Sequence, residues 1–178
     1  MIISVIPAKN NSRRLKNKNI RSLNKKPLIY WTIKHAQKSK IIKKIFVSTD
    51  SQKISNLAQK MNVGVIRRSK KLGGETPIID VYKHAYQKLK NKYKPKLIVG
   101  LQPDHPDRTI SADKAILIFK KKKLDVLFSC DRKKIKNGSY YIISKKGLEN
   151  KIAKKKFTII DNCTNIHFIK DIKKIENK

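Results

Sequence analysis

Short apolar runs alternate with longer amphipathic stretches along most of this chain, and the alternation predicts its elements. Strand-like runs fall at residues 2–6, 44–48, 64–66, 97–101, 126–130 and 139–143, and segments of helical period lie between most of them. The helical stretches carry one apolar face each. Leu28, Ile29, Trp31, Thr32 and His35 form the first, and Ile54, Leu57, Ala58 and Met61 the second. Ile79, Val81, Tyr82, Ala85, Tyr86 and Leu89 form the third, and Ala115, Ile116, Ile118 and Phe119 the fourth. Strands that alternate with helices imply a three-layer α/β domain with a mostly parallel sheet and right-handed crossovers. The run 97–101 is nearly all apolar, as a strand covered on both faces should be. No internal repeat and no Pro/Gly/Ser linker interrupts the pattern, so 1–178 reads as a single domain.

The first apolar run ends abruptly. Pro7 closes it, and Lys9, Arg13, Arg14, Lys16 and Lys18 follow within ten residues, interleaved with Asn10, Asn11, Ser12 and Asn17. Small polar residues tolerate tight turns and hydrogen-bond anions. Ligands of open α/β sheets bind where strands open into loops at their carboxyl ends, and the charge here points to a phosphate-bearing one. A second candidate loop leaves the run 97–101 as Gln102-Pro103-Asp104-His105-Pro106-Asp107-Arg108, its two prolines stiffening the chain beside two carboxylates, an imidazole and a guanidinium.

The stretch Ile6-Pro7-Ala8-Lys9-Asn10-Asn11-Ser12-Arg13-Arg14-Leu15-Lys16-Asn17-Lys18-Asn19-Ile20 resembles the signature of the sugar-acid cytidylyltransferases, which make CMP-activated sialic acid and its relatives. Ser12, Arg14, Lys18 and Asn19 match that signature, Arg13 keeps its charge, and Lys9 stands where the family has arginine. Further matches follow in the family's order: Lys26-Pro27-Leu28-Ile29, then Phe46-Val47-Ser48-Thr49-Asp50, Arg67 after a short strand, and Leu101-Gln102-Pro103. An ordered series over about the first 130 residues is more specific than any one motif.

The resemblance implies a Rossmann-like nucleotide-diphospho-sugar transferase fold of α/β/α layers. It also implies transfer of CMP from CTP to an acidic sugar, a sialic acid or related nonulosonic acid, with release of pyrophosphate. Lys9, Arg14 and Lys18 take the catalytic roles; Ser12, Arg13, Asn19, Arg67 and Gln102 bind the nucleotide, Gln102 facing the base. Asp104, His105, Asp107 and Arg108 would bind the sugar acid. The family's paired aspartates near the end of the chain are replaced by Asn165, Ile166, His167, Phe168 and Ile169. Magnesium is therefore assigned to Asp107 and Asp161, with Asp104 and His167 as further candidates, because hard cations prefer carboxylate and phosphate oxygens. About forty residues that relatives carry as a dimerisation arm are missing near 131–136, so a homodimer would lack its usual contact. A nucleotidyltransferase of other nucleotide or sugar, or a non-catalytic homologue, is the alternative.

Composition adds one rival. The formal net charge is +33, a field that attracts any polyanion. The lysines are spread over the whole chain rather than along one stripe, and no nucleic-acid-binding signature is visible, so non-specific polyanion binding is expected and specific nucleic-acid binding is not. No apolar run approaches a membrane span and no signal-peptide pattern opens the chain; a cytoplasmic protein with reduced thiols at Cys130 and Cys163 is the expectation.

Overall fold

The computed structural model describes the chain except residues 11, 13, 70, 71, 73–75, 150–152 and 178. Strands β1 (Ile2–Pro7), β4 (Lys44–Thr49), β5 (Gly64–Arg67), β6 (Leu97–Gly100), β7 (Val126–Cys130), β8 (Lys136–Ser144) and β9 (Lys156–Ile160) form one seven-stranded sheet in the order β5-β4-β1-β6-β8-β7-β9. All neighbours are parallel except β8, which runs antiparallel to both β6 and β7. A two-stranded ribbon, β2 (Ser22–Leu23) and β3 (Lys26–Pro27), stands apart from it.

Helices α1 (Leu28–Gln37), α2 (Gln52–Lys60) and α4 (Ala112–Lys121) cover one face, and α3 (Ile78–Tyr93) with α5 (Lys145–Glu149) covers the other. Strand alternation produces this division. Ile6, Val47, Val99, Leu127 and Ile142 point to Ile29, Ile33, Ile54, Ala115 and Ile116, while Ile3, Val5, Ile98, Val126 and Ile143 point to Val81, Tyr82, Ala85 and Leu89. The three layers and the mostly parallel sheet are those predicted from the pattern. The predicted inner faces shift by a position or so: Ile33 and Ala36 are buried on α1 where Trp31 and His35 are only half-buried.

The last third of the chain holds what periodicity did not reveal. β9 and helix α6 (Ile169–Glu176) were not predicted, and β8 starts three residues before the predicted strand. The segment between β7 and β8 is a tight turn, in which Lys134 takes a positive φ of 62° and the Asp131 carboxylate accepts from the Ile135 N–H at 2.9 Å. Helix α6 makes a third small core of its own. Ile166 and Ile172 meet Leu15, Leu23 and Leu28, so the end of the chain packs against the loop that follows β1.

Gly100 ends β6 directly beneath the fully buried ring of Tyr82; a Cβ there would lie 2.2 Å from the ring's Cζ. Gly100→Ala is therefore expected to cost about 1–3 kcal/mol through overpacking. Urea denaturation of the variant and of wild type measures it, and equal midpoints would show that Tyr82 moves aside at no cost.

Candidate active site

The carboxyl ends of β1, β5 and β6 open onto a cavity of about 380 Å³. Its first wall is the loop after β1, which contributes Lys9, Ser12, Arg14, Lys18 and Asn19; its floor is Pro7, Gln102, Pro103 and Asp104; and its far wall is Arg68, Leu72, Thr76, Ile78 and Val81. His167 lies at the rim. Arg13 and Asn11 fall outside the described residues.

Local hydrogen bonds shape the loop. Asn17 takes a left-handed conformation with a φ of 57° and starts a single 3-10 turn, Lys18–Ile20. Asn19 is buried and donates its Nδ2–H to the Lys9 carbonyl at 2.8 Å, closing the loop on itself. The Asp50 carboxylate, at the exit of β4, accepts from the Asn10 N–H at 2.8 Å. Asn19 is thus a brace within the site as well as part of its lining.

Lys18 and Arg14 are engaged within the site. Lys18 donates to Asp104 Oδ2 at 2.7 Å and to the Ile166 carbonyl at 3.1 Å. Burial works against the Asp104 charge, but the adjoining His105 ring and the Lys18 ammonium outweigh it and hold the carboxyl below its usual range. Burial lowers the pKa of His105 against the opposing pull of Asp104. Arg14 donates to His167 Nδ1 at 2.7 Å, which fixes the neutral ring with its proton on Nε2. Burial, then Arg14 and Lys18, push the His167 pKa down.

The second loop behaves differently from its sequence reading. Arg108 turns inward: it donates to Ser139 O at 3.2 Å, Thr32 Oγ1 at 3.0 Å, and the carbonyls of His105 and Gln102. Such a hub holds the loop in shape and leaves no fork for a sugar carboxylate. His105 is completely buried, with Nδ1 3.3 Å from the Thr164 carbonyl. Asp107 spends both oxygens on Thr164, accepting from its N–H and its hydroxyl at 2.8 Å each. Asp161 is also completely buried and accepts from Thr109 N, Thr109 Oγ1, Ile110 N and Ser139 Oγ. These donors hold its charge below the usual carboxylate range against the cost of burial. Neither Asp107 nor Asp161 lines the cavity, so the expected metal pair is not assembled there; of that loop's charged groups, Asp104 alone reaches it.

Arg67 is corrected by one position. It is exposed and donates to Gln52 Oε1, whereas Arg68 is buried and lines the cavity. The signal was present: Ile66 faces the core, and period-two alternation sends Arg67 outward and Arg68 inward. Gln102 lies on the cavity floor. Gly138, with a φ of +81°, lies against it, and a Cβ there would come within 2.6 Å of Gln102 Nε2.

The match to known proteins agrees with this geometry. The family model described as cytidylyltransferase matches residues 3–112, which contain the whole cavity lining apart from His167. The chain belongs to the cytidylyltransferase family. It is similar to the CMP-N,N'-diacetyllegionaminic acid synthase of Campylobacter jejuni, 45% identical over 64 residues, 36% of this chain and 27% of that protein. It is also similar to the N-acylneuraminate cytidylyltransferase of Escherichia coli, 34% identical over 85 residues, 47% of this chain and 20% of that one. These matches span about a quarter of the relatives' length. In fold it resembles a CMP:2-keto-3-deoxy-manno-octonic acid synthetase solved with CTP, with a TM-score of 0.78 at 15% identity over 99% of this chain and 97% of the other.

The chain's histidines give a pH dependence. Burial, helped by Arg108, pushes His35 down to about 4, and His84, His105 and His167 are lowered too. A histidine whose folded pKa lies below its unfolded 6.5 takes up its proton more readily when unfolded, so stability falls as pH drops from about 6.5 towards 4. His35 alone accounts for roughly 3 kcal/mol across that window. The shifted carboxylates act at lower pH. Urea unfolding at pH 7 and 4.5 should show the loss, and His35→Gln should flatten it; an unchanged slope in the variant would remove His35 from the account.

Proposed function

We propose that this cytidylyltransferase transfers CMP from CTP to an acidic sugar, a sialic acid or related nonulosonic acid, releasing pyrophosphate. The observation that carries the reading is the wall of Lys9, Ser12, Arg14 and Lys18 facing Gln102 and Asp104 across one cavity. The curated relatives named above act on legionaminic and N-acylneuraminic acids, which supports the class of acceptor.

In this reaction a sugar hydroxyl oxygen attacks the α-phosphorus of CTP, the bond from that phosphorus to the bridging oxygen breaks, and pyrophosphate leaves with the negative charge. Catalysis is then mainly positioning and electrostatic stabilisation. Lys9, Arg14 and Lys18 place positive charge around the triphosphate, and Ser12 adds a hydroxyl donor. Gln102, whose amide offers both a donor and an acceptor, reads the pyrimidine edge. Arg68 brings a fourth cation from the far wall.

Among the described residues no three His, Cys, Asp or Glu side chains stand close enough to hold a metal by themselves. The donor chemistry nevertheless fits a hard cation shared with phosphate oxygens, because Asp104 Oδ2 and the Ile166 carbonyl converge at the cavity's edge. Asp104 is the residue that would hold Mg2+, which when bound supplies charge neutralisation at the phosphates.

Arg14→Ala and Lys18→Ala are each expected to lose roughly 1.5–3 kcal/mol of CTP affinity, the range for hydrogen bonds to charged groups. Calorimetry at fixed salt measures this, with UTP and inorganic triphosphate as competitors. Equal competition by all three, with affinity vanishing near physiological ionic strength, would reduce the site to simple polyanion attraction. CTP binding without pyrophosphate release for any sugar acid would leave a nucleotide-binding protein rather than a transferase.

A further inference from the structure

Lys18 is seated as a metal ion would be. Its ammonium is held by two oxygens from distant parts of the chain, Asp104 Oδ2 at 2.7 Å and the Ile166 carbonyl at 3.1 Å. One is a carboxylate and one a backbone carbonyl, the donor types hard divalent cations take. The side chains of Lys18 and Asp104 are only 13% and 16% exposed, so the ammonium fills this seat rather than visiting it from solvent. The seat is built independently of Lys18: the Ile166 N–H donates to the Asp104 carbonyl at 2.9 Å, and Ile166 is completely buried. Asp104 Oδ1, facing His105 Nε2 at 3.8 Å, has no hydrogen-bond partner, and neither has that nitrogen.

The same lysine lines the wall that would hold the triphosphate. Two of its three N–H donors are spent on the seat, which leaves one for a phosphate. We propose that Lys18 is an internal stand-in for the divalent cation: it fills the Asp104–Ile166 seat in the nucleotide-free protein, and passes to the triphosphate when the cation takes that seat. Cation and nucleotide binding are then linked through one side chain, and the linkage is reciprocal. The proposal rests on the nucleotide-binding reading above, and it explains how Asp104 stays compensated before substrate arrives.

The test begins with Mn2+ alone, titrated into nucleotide-free protein and followed by the electron paramagnetic resonance of the free ion. Lys18→Met, which keeps most of the aliphatic stem, should bind Mn2+ roughly tenfold more tightly than wild type, within the usual range of coupling between sites. The Lys18→Met, Asp104→Asn double variant should lose that gain, which ties it to this seat. Equal Mn2+ affinity in wild type and Lys18→Met, with both folded by circular dichroism, overturns the proposal. A second arm measures CTP binding in the presence of a chelator. Asp104→Asn should bind CTP more tightly than wild type because Lys18 is released, and the gain should vanish in the Lys18→Met background. A gain of the same size with or without Lys18 is plain removal of a negative charge and also overturns it. Wild type that binds no CTP under any condition defeats the nucleotide reading instead, while the Mn2+ comparison still decides whether Lys18 occupies a cation seat.

Discussion

Like charges packed into one cleft must be compensated, and that constraint organises this molecule's functional end. Among the described residues, Lys9, Arg14, Lys18 and Arg68 share a cavity with the carboxylate of Asp104, in a chain whose formal net charge is +33. Without a bound anion their mutual repulsion favours an open loop. The chain answers with local acceptors: Asp104 and the Ile166 carbonyl for Lys18, and the neutral ring of His167 for Arg14. Two of those three acceptors come from residues 166–167, so the last turn of chain before α6 helps to keep the loop after β1 in its binding shape.

That dependence explains the third small core. Loops that carry function are usually the least secured part of a fold. Here Leu15, within the cationic loop, is buried against Ile166 and Ile172, with Leu23 and Leu28 completing the cluster. The Glu176 carboxylate accepts from the Asn24 N–H at 2.9 Å and ties the far end of α6 to the same region. Apolar contact anchors the loop from below while charge is left to face the cavity, and the two demands do not compete for the same side chains.

Much of the fold was legible because its signal is local. Apolar runs set β1, β4, β5, β6 and β7, and Val126–Cys130 was bounded to the residue. β9 and α6 were missed although each carries three apolar residues, because few of them are covered: only Ile159 of β9 and Ile172 of α6 are buried. A strand at the edge of a sheet, or a helix resting on a loop, needs only one or two such residues. Their placement is decided by distant partners, which periodicity does not report.

The site divides along the same line. Lys9, Ser12, Arg14, Lys18, Asn19 and Gln102 were readable because a strand end and a glycine-poor polar loop fix where such residues go. The loop 102–108 was misread because residue type says what chemistry a side chain offers, not whether it is already spent. Asp107, Arg108 and Asp161 look reactive in the sequence; in the fold each is fully engaged, with Thr164, with the carbonyls of the loop, and with Thr109 and Ser139. A buried charge persists only where its hydrogen bonds are met. The three residues that look most like ligands thus act as fixings, and among the described residues Asp104 is the carboxylate that lines the cavity. The two loops meet at the Lys18–Asp104 pair, the contact at which the fixed charges of the second loop reach the cations of the first.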